Sequence, residues 1–168
     1  VPSLRKTRFM NPYVGLWRQK DFKKRISNLF EQLFSIPKRE TIAAADAAYN
    51  AYDAYMEDLR KTGQEYVEFA RKNGHNIIVA CGRPYHIDPE INHGINDLIT
   101  SFGFVLITED ALSNLEGYAP RKVLNQWTFQ SRMYNAARYV CTQKDMQVIQ
   151  LVSFGCGTDA ITTDELRD

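Results

Sequence analysis

The chain reads as an α/β protein: a three-layer, Rossmann-like or flavodoxin-like parallel sheet of order β-α-β-α-β, preceded by a long helical N-terminal segment. Three observations predict it. From His75 onward short apolar runs alternate with helix-length stretches, the pattern of βαβ units. The first of these runs, Ile77-Ile78-Val79-Ala80, is continuous rather than alternating, as in a strand buried on both faces. Before them, Leu16 to Lys72 carries apolar residues at three-and-four spacing, the mark of amphipathic helices. With 168 residues, 44% apolar and 24% charged, the chain has one domain's worth of core and an ordinary globular composition, which excludes disordered, collagen-like and disulfide-miniprotein classes.

Taken in order, Leu16 to Phe34 sets Phe22, Ile26, Leu29, Phe30 and Leu33 on one face, with Lys20, Lys23 and Lys24 largely on the wet side. Ser35-Ile36-Pro37 interrupts this helix. An Ala-rich helix follows from about Lys38 to Lys72, with Ala45, Tyr49, Tyr52, Met56, Leu59, Tyr66 and Ala70 as its packing stripe and Asn73-Gly74 as a left-handed stop. A tyrosine-bearing stripe at helical spacing is packing surface, so no chemistry is assigned to it. After the first strand, Asp88-Pro89 reads as an N-cap with proline at the first helical position, and Ile91, Ile95, Leu98, Ile99 and Phe102 line one face as far as Gly103. Phe104 to Thr108 is the second strand. Pro120 to Cys141 is a helix with Val123, Leu124, Trp127, Tyr134 and Ala137 inward, and Val148 to Val152 is the third strand. Helical crossovers make the three strands parallel.

Two divisions follow: residues 1–35 as a basic arm with its amphipathic helix, and residues 36–168 as the Rossmann-like domain with its leading long helix. Thr162-x-x-Glu165 has the form of a capping box, with only three residues after it. A helix cut after about one turn buries little, so the sequence predicts an excised piece, truncated at the C-terminus, of a longer polypeptide.

The net charge of +1 hides an asymmetry, because residues 1–40 hold ten Lys/Arg against three Asp/Glu and the rest hold eleven against seventeen. A basic arm that docks on an acidic face, or is simply solvated, accounts for this. The arm lacks the aromatic and glycine interleaving of an RNA-binding module, which argues against a nucleic-acid partner. No run approaches the roughly 20 apolar residues of a membrane span, and no signal peptide is evident, so a cytoplasmic location without a membrane partner is expected. Three widely spaced cysteines, Cys81, Cys141 and Cys156, fit reduced thiols better than a disulfide framework.

In open parallel sheets, ligands bind beyond the carboxyl ends of the strands. Three segments reach that edge: Cys81-Gly82-Arg83-Pro84-Tyr85-His86, Glu109-Asp110, and Ser153-Phe154-Gly155-Cys156-Gly157-Thr158-Asp159. Cys156, between glycines and shortly before a helix start, has the surroundings that favour a thiolate. Its spacing leaves open an iron–sulfur or zinc ligand, a nucleophile, or a small residue in a tight turn. Cys81, near the end of a buried strand, reads as a core hydrophobe, and Cys141 carries no signal. The spacing of Cys81, His86 and His93 matches no common structural zinc pattern. Arg83, His86 and His93 form a candidate anion-binding set, with a hydrogen-bonded loop network as the alternative. Neither a Walker phosphate loop nor G-x-G-x-x-G is present, and no catalytic residue is assigned.

The residues from Gly82 through Ile95 (Gly82-Arg83-Pro84-Tyr85-His86-Ile87-Asp88-Pro89) and from Ser153 through Asp164 strongly resemble the large fused activators of (R)-2-hydroxyglutaryl-CoA dehydratase. Leu106-Ile107-Thr108-Glu109-Asp110 and Gln126-Trp127-Thr128 are similar to them as well, so the resemblance runs from about Ile36 to the C-terminus. It implies an anaerobic, ATP-coupled electron-transfer protein in which an ATPase portion is joined to a region related to the dehydratase subunits. It implies further that Cys156 is a ligand of a 4Fe–4S cluster in the intact protein only, that ATP binds a separate domain, and that this piece is inactive alone. The implied partners are the other domains of the parent polypeptide, the ATPase portion, and a dehydratase or other electron acceptor. Cys81 falls where the family is not associated with cysteine. The contrasting expectation is a non-catalytic assembly domain whose Arg83, His86 and His93 hold an anion or an acyl-CoA phosphate.

Overall fold

The computed structural model describes residues 9–112, 127–153 and 155–167. The chain forms two compact units, Val1–Ala54 and Tyr55–Asp168. In the first, helix α1 (Gln19–Phe34) ends at Ser35, whose φ of 57° is the left-handed stop, and helix α2 (Lys38–Asn73) starts once Pro37 has offered its carbonyl to the Glu40 and Thr41 amides. Phe22 meets Tyr49 edge-on at 6.0 Å, and the Tyr49 hydroxyl donates to the Leu16 carbonyl at 2.7 Å. Lys23 is not left on the wet side, because its ammonium pairs with Asp46 at 2.6 Å.

The second unit takes the end of α2, stopped at Gly74 with φ 72°, and adds strand β1 (Ile77–Cys81), short helices α3 (Pro89–Asn92) and α4 (Ile95–Ser101), strand β2 (Val105–Thr108), helix α5 (Thr128–Val140), strand β3 (Met146–Gln150) and helix α6 (Gly157–Arg167). The sheet is parallel throughout with order β2-β1-β3, so the continuous apolar strand lies in the middle, as its composition requires. Ile77, Val79 and Cys81 face one side with Val67 and Ala70 of α2, Ile107, Met146, and Met133, Ala136 and Val140 of α5. Ile78 and Ala80, also buried, lie on the other face.

Several local expectations are corrected. In this unit, the buried positions of α2 are Gly63, Val67 and Ala70, whereas Tyr66 is exposed, as is Tyr52 in the first unit. Gly63 is the deciding residue, since a Cβ there would lie 2.5 Å from that of Ala111. The stretch after Asp88 is two helices rather than one, because His93 and Gly94 both adopt left-handed geometry, at φ 52° and 85°. The break turns Ile91, Leu98 and Phe102 to solvent and leaves Ile99 as the buried apolar residue of the run. Helix α5 starts at Thr128, with Trp127 as its exposed N-cap; the expectation for Pro120 to Gln126, including Val123 and Leu124, lies outside the described residues. Strand β3 begins two residues before the expected Val148. Thr162 is not a cap but a buried mid-helix residue whose hydroxyl donates to the Thr158 carbonyl at 2.8 Å, because α6 starts five residues earlier.

Candidate functional site at the carboxyl edge

The order β2-β1-β3 means that the chain leaves β1 toward one side and later returns to the other. The loops after β1 and β3 therefore diverge from neighbouring strand ends, which is the switch-point crevice of a parallel sheet. Cys81 aligns with Gln150, and the Leu151 amide extends the ladder by donating to the Cys81 carbonyl at 2.7 Å. The two glycine-bearing turns thus start side by side.

The β1 turn is built on Gly82. A side chain there would put its Cβ 2.6 Å from His86 Nδ1 and 3.2 Å from the Leu151 carbonyl, so the imidazole folds back only over a glycine. Pro84 opens a single 3-10 turn, Pro84–Ile87, and Nδ1 of His86 accepts the Arg83 amide at 2.9 Å. That bond places the neutral ring's proton on Nε2, which points at Ser153 Oγ at 3.4 Å. Ser153 Oγ also meets the Tyr85 hydroxyl. Burial lowers the His86 pKa, with Arg83 adding to the effect and Asp159 opposing it, in keeping with an accepting Nδ1.

Arg83 crosses from this turn to α6. Its Nη2 donates to Asp159 Oδ1 at 2.7 Å and lies 3.8 Å from Cys156 Sγ. Gln130 of α5, with its amide carbonyl turned to the guanidinium, accepts from Nη1 at 3.0 Å and Nη2 at 3.1 Å. The other oxygen of Asp159 accepts the Ser153 amide at 2.9 Å. Asp159 and Gln130 are both buried, so charge and donors are matched where water is scarce.

Cys156 sits at the N-cap of α6, its carbonyl accepting the Asp159 and Ala160 amides. Its half-buried thiol is shifted toward the thiolate, foremost by the backbone N–H of Asp159 and then by that of Thr158; Arg83 adds to this, while desolvation and the Asp159 carboxylate oppose it. Gly155, at φ 77°, makes the turn that delivers it. Cys81 is different: it is 1% exposed inside the apolar cluster, and burial pushes its thiol pKa far up. Cys141 is exposed at the far end of α5, on the amino side of β3. The structure therefore brings Arg83, His86 and Cys156 together. His93 is exposed on the left-handed corner between α3 and α4, with no hydrogen bond to Arg83 or His86 among the described residues.

A second polar network lies at the same edge. Glu109, 6% exposed, accepts from Arg132 Nη2 at 3.1 Å; the same nitrogen is 3.9 Å from Asp110, and the guanidinium lies 4.9 Å over the Phe129 ring. Burial, reinforced by Asp110 and opposed by Arg132, raises the Glu109 pKa to about 7. Gln130 and Arg132 carried no functional signal in the sequence, since each becomes notable only through a partner more than 20 residues away, and Asp159 was placed at this edge without its partner Arg83 being foreseen.

Among the described residues, no group of three or more His, Cys, Asp or Glu is arranged to hold a metal ion, so Cys156 offers a single thiolate. None of the described helices is long and apolar enough to cross a membrane. Two open cavities, of about 450 and 340 Å³, lie along α2 and away from the Cys156 turn. Neither a curated protein nor a solved structure matches the chain. A family model described as the CoA enzyme activase uncharacterised domain (DUF2229) matches residues 2–112, from the basic arm through β2 and thus including the Gly82–His86 turn but not the Cys156 turn. Because that match spans more than half of its length, the chain belongs to the CoA enzyme activase uncharacterised domain family.

Proposed function

We propose that this activase-type domain serves electron transfer within a longer, ATP-coupled iron–sulfur protein of the 2-hydroxyacyl-CoA dehydratase activator group, with Cys156 as one cluster ligand in the intact protein. The observation that supports it most is the placement of Cys156 at a switch-point rim, where the Thr158 and Asp159 amides and Arg83 favour a thiolate. A 4Fe–4S cluster, when bound, supplies a one-electron site of low potential. This chain's residues hold charge on the sulfur, keep the turn open through Gly155 and Gly157, and fix it to the sheet through Arg83, Asp159 and Ser153. One thiolate is not a full ligand set, and Cys81 is sealed in the core. On this reading the remaining ligands come from other domains of the polypeptide, ATP binds the ATPase portion, the electron passes to a dehydratase or other acceptor, and this piece alone is inactive.

Anaerobic reconstitution of the full-length parent with iron and sulfide tests the reading. Cys156→Ala is expected to lower bound iron and the visible charge-transfer absorbance; equal iron in both proteins removes Cys156 as a ligand. The competing reading, an anion or acyl-CoA phosphate held by Arg83, His86 and His93, has less support. Arg83 is already paired with Asp159, the His86 ring accepts a backbone N–H, and His93 is exposed with no hydrogen bond to either among the described residues.

A further inference from the structure

The edges of the sheet differ in what lies beside them. At β2, helix α2 runs alongside: Val67 shares the core cluster with Ile107, and Gly63 comes against Ala111. At β3, no further strand is paired among the described residues. The ladder to β1 opens with the Ile77 amide donating to the Asp145 carbonyl and closes with the Leu151 amide donating to that of Cys81, so Gln147 and Ile149 between them also face β1. By alternation the N–H and C=O groups of Val148 and Gln150 point outward. Neither residue makes a further backbone hydrogen bond among the described residues. Val148 and Ile149 are apolar yet only half-buried, whereas strands of a parallel sheet are ordinarily enclosed, so β3 has the composition of an inner strand in an edge position.

We infer that the outer edge of β3 takes a further parallel strand, and that its occupant is the strand following α6 in the longer polypeptide. Helix α5 carries the chain from β2 past β1 to β3 on the face of Ile77, Val79 and Cys81. Helix α6 packs on that same face, against α5 and with Leu166 on the core cluster. A right-handed crossover on this face moves in the same direction again, which lands the next strand beyond β3. The lengths agree, since the 11 residues of α6 rise about 16 Å and the 5 residues of β3 span about 16 Å. A helix that begins at the carboxyl edge therefore ends near the amino edge, where a parallel strand must start. A second copy related by a two-fold axis would instead pair β3 with itself antiparallel, against the direction of every described strand pair. The inference rests on the reading of this chain as one domain of a longer polypeptide, but not on Cys156 as a ligand, so iron content and strand pairing fail separately.

The measurement is amide hydrogen exchange in the 168-residue chain and in the full-length parent, as protection relative to intrinsic exchange. In the chain alone, Ile149 and Leu151 are expected to be protected and Val148 and Gln150 to exchange at least about tenfold faster; in the parent all four are expected to be protected alike. Val148→Pro removes an outward donor and no bond to β1. In the parent it is expected to lower protection at Gln150 about tenfold while Ile149 and Leu151 keep theirs, which decides the matter should the chain not hold its sheet alone. Outer amides that stay fast in the parent, that are already protected in the dilute chain, or that ignore Val148→Pro overturn the inference. So does protection at Val148 and Gln150 that appears in the chain alone as its concentration rises, since the occupant would then be a second copy.

Discussion

Arg83 and Asp159, 76 residues apart in sequence, meet at 2.7 Å with side chains only 15% and 6% exposed. This pair joins the turn after β1 to the first turn of α6, and it is why the Cys156 turn has a defined place against the sheet. A buried pair of this kind adds little over an apolar substitute, but breaking it from one side strands a charge.

Arg83→Met should therefore destabilise the protein by about 3 kcal/mol in urea denaturation, since Asp159 is left without its cation. Asp159→Asn in the same background should add less than it costs alone, because the two residues act as one unit. Strictly additive losses in that double-mutant cycle would show that the pair is not coupled.

The Cys156 thiol should react with iodoacetamide at lower pH than an ordinary cysteine, while Cys81 stays unmodified in the native protein. Thr158→Pro removes one of the amides that favour the thiolate near the start of α6, where proline is tolerated. The midpoint of the rate–pH curve should then move upward. A midpoint unchanged by Thr158→Pro and by Arg83→Met would place the cause elsewhere.

Gly63→Ala tests the approach of α2 to the turn after β2. The added carbon would sit 2.5 Å from the Ala111 Cβ and 2.9 Å from its carbonyl oxygen, and a backbone atom cannot swing aside. A loss of about 1–3 kcal/mol is expected, despite the better helix propensity of alanine. A more stable variant would mean that the helix moves freely there.

The lowered pKa of His86 makes stability depend on pH. The folded chain prefers the neutral ring, so the stability it contributes is complete above about pH 6.5 and falls as the unfolded chain protonates below that. His86→Gln should flatten the slope of the melting temperature between about pH 5 and about pH 7. An NMR titration showing His86 protonating before a solvent-exposed histidine would contradict the assigned tautomer.

The elements were legible wherever local chemistry decides them. Asp88 does cap its helix, accepting the Glu90 amide at 2.9 Å, and Gly74 does end α2, because an N-cap oxygen and a left-handed glycine act within a few residues. The apolar periodicity after Asp88 misled for the converse reason: it is compatible with a continuous helix, and only the left-handed His93–Gly94 corner turns its face outward. The capping pattern at Thr162 likewise matched in letters, but the Gly155 turn had already started the helix at Gly157. At the edge itself, strand order was enough to bring the two glycine turns to neighbouring strand ends. Which side chains would lock them together was not, since nothing near Asp159 or Gln130 in sequence mentions Arg83.

By itself the sequence determined a parallel sheet whose first strand is apolar on both faces and a cysteine carried between glycines shortly before the start of a helix. These follow from the cost of burying polar atoms and from the freedom of a backbone without Cβ atoms. The tertiary structure alone decided that Arg83 spends its charge on Asp159, that Arg132 is divided between Glu109 and Asp110, and that His86 remains an acceptor. Such pairings depend on distances between residues remote along the chain, and electrostatic energy in a dry interior changes steeply with those distances.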